Sequence, residues 1–429
     1  MFLDLLRRRN PTLLEAAARF HQDGTIPANT YVIDLDAVTR NATALATEAA
    51  RLGLTPFAMT KQIGRNPDAS RAIAAGGISH AVGVDLECAI AAAAGGLAAG
   101  HLGHLVQIPK HRASEAAALA PLYWTVFSET KAAEAGAAAL AAGRVQDVLL
   151  RIVAPGDRFY RGHEGGFDAA DVVAFADRID AIPGVRFAGI TTFPATLFDR
   201  ETGTAASTPN LATLTTALRA LERAGRQDVQ VNAPGTTSVS ILSTLAEAGA
   251  TQVEPGHGLT GTTPLHAAHD LVEEPAIAYV SEVSHLWNGD AYVFGGGLYV
   301  DPVLEGTPTS ALFVSPGADA ATAPELHVDM PAADAIDYYA SVPLGDRRAA
   351  PGDTVIFGFR PQVFVSRGLT AGISGLSTGN PVVAGIWSAD GSAPLTVDDA
   401  LRGVGGSISS ISSSASGASS VSSASGRTA

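Results

Sequence analysis

Short apolar runs of strand length recur along the first two thirds of the chain, separated by alanine-, leucine- and charge-bearing segments of helical length. The runs are TPFAMT (55–60), ISHAVG (78–83), GHLVQI (103–108), YWTVF (123–127), VQDVLLRIV (145–153), VRFAGITTF (185–193), VQVN (229–232) and ATQVE (250–254). SETKAAEAGAAALAAG (128–143) and FDAADVVAFADRIDAI (167–182) are typical of the segments between them. Strands alternating with helices predict parallel βαβ units, and eight such units close into a (β/α)8 TIM barrel. A doubly wound open sheet is the alternative that the same pattern allows.

The two ends read differently. The stretch to about residue 27 predicts an amphipathic helix with Asn10-Pro11 as cap and first-turn proline. TYVIDLDAV (30–38) predicts a short strand running into a helix through Arg51. Beyond residue 272, PAIAYVSEVSHLW, DAYVFGGGLYVD, DTVIFGFRPQVFVSRG and NPVVAGIWS alternate apolar and polar residues at period two, the mark of an antiparallel β domain. The end is Ser/Gly low complexity, which buries too little surface to repay ordering. The expected organisation is therefore a helical extension (1–29), a barrel (30–272), an antiparallel β domain (273–400) and a disordered tail (401–429).

Composition narrows the function classes. A hydrophobic content of 46% with 16% charged residues suits a globular enzyme with a sizeable core. A formal charge of −14 argues against a nucleic-acid partner. No apolar run reaches the roughly 20 residues of a membrane span, and the arginines at the N-terminus follow its apolar residues, the wrong order for a secretory signal. The single cysteine, Cys88, fits a reducing compartment, and a cytoplasmic location is expected. Eleven histidines raise the question of a metal. HLGH (101–104) and HAAH (266–269) have i, i+3 spacing but no neighbouring carboxylate or cysteine in sequence, so no metal is expected.

The candidate chemistry gathers where the strands end, the face on which such barrels keep their sites. Of 28 basic residues only Lys61, Lys110 and Lys131 are lysines, and Lys61 ends the first barrel strand. NAPGTTS (232–238) and EPGHGLTGTT (254–263) follow strands seven and eight, where these barrels commonly hold phosphate. Glycine admits close backbone approach to an oxyanion, and a helix N-terminus adds favourable partial charge. A lysine amine at a mouth that also holds phosphate fits an imine link to pyridoxal 5'-phosphate (PLP).

Lys61, the GDRFYRG stretch, the NAPGTT loop and the EPGHGLTG loop together resemble the alanine-racemase-like, or fold type III, PLP enzymes, and within them the YhfX-like branch of amino-acid racemases. The resemblance covers about residues 30–385. It implies that Lys61 carries the cofactor and shuttles a proton on one face. It also implies that Arg161, assigned to strand five, faces the phenolic oxygen. Gly235, Thr236 and Thr237, with Gly256, His257 and Gly258, would hold the phosphate. Arg65, where alanine racemases usually have a tyrosine, would join them as a cation. Glu254 departs from the alanine-racemase pattern, which has arginine there, and resembles the basic-amino-acid decarboxylases. A carboxylate at this place stabilises a protonated pyridine nitrogen. The resemblance implies an amino-acid substrate and a homodimer with shared sites. Racemisation or epimerisation leads, decarboxylation follows, and a non-catalytic PLP-binding role stands third. A racemase needs a second base, for which Tyr292, Tyr299, His163 and His257 are open candidates.

Overall fold

The computed structural model describes residues 1–299, 309–332 and 335–402. Eight parallel strands form a barrel: Thr55–Pro56 continuing as Ala58–Met59, then His80–Gly83, Ala98–Leu102, Tyr123–Val126, Gln146–Val153, Val185–Thr191, Gln230–Asn232 and Gln252–Val253. The first strand closes the ring. Its first half pairs with strand eight (Thr55 with Gln252) and its second half with strand two (Ala58 with Ala81). The bridge between the halves is Phe57, fully buried, whose N–H donates to the Val253 carbonyl.

The third strand is Ala98–Leu102, not the expected 103–108. Gly103 adopts φ +72°, left-handed backbone that cannot continue a strand, so the apolar run after it becomes loop. The shift moves His101 onto the strand's C-terminal end and His104 into the loop at the barrel mouth.

A second, mostly antiparallel sheet contains Ile277–Trp287, Asp290–Phe294, Thr309–Val314, Glu325–Val328, Tyr339–Pro343, Thr354–Phe357, Leu369–Ser374 and Val382–Ser388. It also contains Thr30–Asp34, which pairs antiparallel with Ile277–Val280 and parallel with Leu369–Ile373. The strand expected to open the barrel portion therefore lies in the other sheet. Both its faces are buried, so its apolar pattern does not distinguish the two environments. The expected N-terminal helix is two helices, Phe2–Arg9 and Pro11–Gln22. Asn10 caps the second through Leu13 N–H and also donates to Asp34, and Leu13, Leu14 and Ala17 pack on Val32, Val280 and Ile356 of the sheet. Burial of such side chains is worth about 1.5–3 kcal/mol each for the larger ones.

Residues 393–402 form a separate unit, in which Thr396 and Asp399 exchange hydrogen bonds across a helical turn. From residue 403 the segment expected to be a disordered tail lies outside the described residues. Among the described residues no helix is long and apolar enough to cross a membrane.

Candidate active site

Strand eight delivers Glu254 to the barrel mouth with its side chain 2% exposed. Its Oε1 accepts from His101 Nδ1 at 2.7 Å and from Asn232 Nδ2 at 3.0 Å. Its Oε2 makes no hydrogen bond and lies 3.5 Å from His104 Nε2. Burial works against the carboxylate, but the hydrogen bonds from His101 and the Asn232 amide oppose it, and the carboxyl lies below its ordinary range. The same burial drives His104 down to about 3, against the pull of Glu254, so its ring is uncharged at neutral pH.

The two glycine-containing loops are packed against each other. A Cβ on Gly258 would lie 2.6 Å from the Thr237 carbonyl oxygen, and one on Gly235 would lie 2.5 Å from Thr196 Oγ1. A Cβ on Gly256 would meet Gln62 Oε1 at 2.8 Å, which ties the strand-eight loop to the turn after strand one. Thr236 N–H is held by Thr196 Oγ1 at 3.1 Å, and Thr237 is buried with its hydroxyl unpaired. His257 is buried, with Nδ1 on Thr262 Oγ1 at 3.0 Å and Nε2 unpaired. Burial first, then the charges of Arg360 and Lys61, push its protonation well below the usual histidine range.

Lys61 opens a short 3-10 turn (Lys61–Ile63) directly after strand one, with Nζ 5.0 Å from the centre of the Phe364 ring. Its charge bears on His104, His163 and His257, which puts the amine among the residues of the mouth. Lys110 is exposed, and Lys131 is tied to Glu134 and the Ile108 carbonyl. Across the barrel, Arg151 on strand five is fully buried. Its Nη2 donates to the carbonyls of His163 (3.2 Å) and Phe193 (3.1 Å), while Nε and Nη1 have no partner. Burial lowers its pKa to about 10, which still leaves it cationic at neutral pH. His163, His104 and Tyr160 pack around Phe193 with ring centres 5.8–5.9 Å from it.

The family model described as "Alanine racemase, N-terminal domain" matches residues 33–264, more than half of the chain. The chain belongs to this family. A second model, "YhfX-like, C-terminal domain", matches residues 278–383. The chain is 37% identical over 393 residues to the uncharacterized protein YhfX of Escherichia coli (strain K12), covering 92% of this chain and 99% of that one. Among solved structures, D-threonine aldolase from Filomicrobium marinum is similar with a TM-score of 0.62 and 18% identity, over 85% of this chain and 95% of that one. An alanine racemase from Clostridium difficile 630, in complex with cycloserine, is similar with a TM-score of 0.57 and 14% identity, over 85% and 99%. These structural likenesses concern the fold.

Within this alanine-racemase-like barrel, Lys61, Gly235–Thr237, Glu254 and Gly256–Gly258 come together at one rim. Two expected site residues do not join them. Arg65 turns to the strand-two side, where Nε lies 3.1 Å from Cys88 Sγ and Nη2 lies 3.6 Å from Asp85. GDRFYRG lies in the loop after strand five, which ends at Val153, and Arg161 is exposed with no hydrogen bond or ion pair among the described residues. The strand-five arginine is Arg151. Its signal was an arginine inside the apolar run VLLRIV. His101, His104 and Asn232 were also missed as site residues. The HLGH pair does gain a carboxylate, Glu254, from 153 positions further on, and the three bring ligand-type atoms within 4.8 Å of one another. Of the open second-base candidates, Tyr292 stacks on His285 in the second sheet, whereas His163 and His257 are at the mouth.

Proposed function

We propose that this protein is a PLP-dependent enzyme acting at Cα of an amino acid, as a racemase or epimerase. The observation that carries the reading is Glu254 Oε2, a buried carboxylate oxygen without a hydrogen bond, at the same mouth as the Lys61 amine. The other unpaired buried atoms fit the same cofactor. Arg151 Nε and Nη1 would donate to its phenolic oxygen, Thr237 Oγ1 and the backbone of the two loops would suit its phosphate, and Glu254 Oε2 would accept from its ring nitrogen. Arg151 thus takes the role that resemblance assigned to Arg161, and Arg65 serves the architecture beside Cys88.

Bound there, PLP supplies an electron sink that stabilises negative charge at the substrate's Cα. The chain does the rest. Lys61 would hold the group through its amine and would move a proton at Cα on one face. Glu254, pinned by His101 and Asn232, would keep the ring nitrogen protonated. His163 has its Nδ1 buried and unpaired, and burial with the nearby Lys61 and Arg151 charges keeps its ring uncharged, the state a base requires. It is the second base we favour within this chain. A homodimer, in which the partner's β domain completes the site, remains part of the proposal.

The carboxylate at Glu254 also suits an α-decarboxylase, the second reading. Incubation of the holoenzyme with single amino acids in D2O tests both. Deuterium at Cα without loss of carbon dioxide selects racemisation, and carbon dioxide release selects decarboxylation. Bound PLP with neither outcome across the common L- and D-amino acids defeats both and leaves a binding role.

A further inference from the structure

We infer that His101 is a positioning residue, which fixes the Glu254 carboxylate so that one chosen oxygen faces the bound ring. The inference rests on the PLP reading above and goes beyond it, to a residue on strand three that meets the site through the Glu254 carboxylate.

The geometry is a chain of buried hydrogen bonds drawn from separate barrel strands. Glu254 can only accept when ionised, so His101 Nδ1 donates to Oε1 at 2.7 Å. The other ring nitrogen, Nε2, meets Thr125 Oγ1 on strand four at 2.5 Å, which fixes the plane of the imidazole. Asn232 on strand seven donates its Nδ2 to the same Oε1 at 3.0 Å, and its Oδ1 in turn accepts from Thr191 Oγ1 on strand six at 2.8 Å. His101, Thr125, Thr191 and Asn232 are all completely buried. Both donors converge on one carboxylate oxygen, and the other is left with none. A carboxylate held on one side only in this way presents a single acceptor in a single direction. Without His101 the group keeps one donor, becomes free to rotate, and is harder to hold ionised in a buried site.

The test uses full-length holoenzyme loaded with PLP carrying 15N in its ring, comparing wild type with His101→Leu and His101→Asn. The asparagine amide reaches the place of Nδ1 and keeps the donor, whereas leucine removes it. We expect the nitrogen resonance of a protonated ring in wild type and in H101N, and a shift toward the unprotonated position in H101L. The dissociation constant for PLP should rise about tenfold in H101L, the loss of one charge-assisted hydrogen bond, and return to within about threefold in H101N. Should H101L fail to fold, Thr125→Val reads the same chain from its far end and should shift the resonance in the same direction. A ring nitrogen equally protonated in wild type, H101L and T125V overturns the inference while leaving the PLP reading intact. Stoichiometric zinc in the wild type that is lost in H101L also overturns it, because Glu254 would then be spent on a cation. A wild type that takes up no PLP defeats the reading itself, and this inference with it.

Discussion

Two arginines ten residues apart give the sharpest test of which residue would meet the phenolic oxygen of the proposed cofactor. Arg151→Met removes two charge-assisted hydrogen bonds, to the carbonyls of His163 and Phe193. At about 1.5–3 kcal/mol each, these are worth roughly 3–6 kcal/mol. Against this stands the burden of the buried cation. Lowering its pKa from 12.5 to about 10 corresponds to roughly 3 kcal/mol at 1.36 kcal/mol per tenfold, and methionine relieves it. The net loss is therefore no more than about 3 kcal/mol, and the variant should remain folded at 25 °C. Affinity for PLP should suffer separately. Loss of a charge-assisted bond to the phenolic oxygen, about 1.5–3 kcal/mol, raises the dissociation constant roughly 10- to 150-fold. Arg161→Met, at an exposed loop position, should leave both quantities within about twofold. The assay is titration of the cofactor-free protein with PLP, followed by absorbance, alongside thermal unfolding. If R161M weakens PLP more than tenfold while R151M binds like wild type, the assignment of Arg151 is wrong and the expectation from sequence was right.

Other consequences follow from single contacts. The Glu254 carboxyl titrates below its ordinary value of 4.5 in the folded chain, so its stabilising contribution is present above that pH and lost as pH falls through the folded value. Thermal melts of wild type and Glu254→Gln should therefore differ by a constant amount above the ordinary value of 4.5 and converge only as pH falls below it, with wild type losing more; parallel profiles through that lower range would contradict the ionised, hydrogen-bonded state. Gly258→Ala should cost about 1–3 kcal/mol by prying apart the loops after strands seven and eight, and, if these loops hold the proposed cofactor's phosphate, should weaken PLP binding more than tenfold; unchanged affinity would remove these loops from the site. Asn66, fully buried, caps the helix Pro67–Ala75 through Ala69 N–H and donates to Thr370 Oγ1 of the second sheet. Asn66→Ala should lose about 2–3 kcal/mol in chemical denaturation, combining cap and orphaned hydroxyl, and a change below 0.5 kcal/mol would show that neither bond matters.

Much of this architecture was legible in the amino-acid order because seven of the eight barrel strands fall in apolar runs separated by helices, and period-two alternation takes over after residue 272. The misreadings have local causes. GHLVQI is as apolar as a strand, and only the positive φ of Gly103 reveals that the strand has ended before it. Thr30–Asp34 is buried on both faces, so nothing in its composition separates a barrel strand from the middle of a second sheet. Glu254 and the loop glycines could be found because their neighbours in sequence are their neighbours in space. His101 could not, since its partner lies 153 positions away and its meaning depends on register. Arg161 drew the eye through a short motif, while Arg151 sat in a strand where an arginine is costly to bury and so needed a reason to be there.

The proposed chemistry depends on Lys61 as the residue that would carry the cofactor. The chain has only three lysines, so borohydride reduction of the PLP-loaded protein followed by peptide mass mapping gives a direct answer. A pyridoxyl group is expected on the peptide containing Lys61, and none after Lys61→Ala. A label on Lys110 or Lys131, or no label on the wild type, would contradict this assignment.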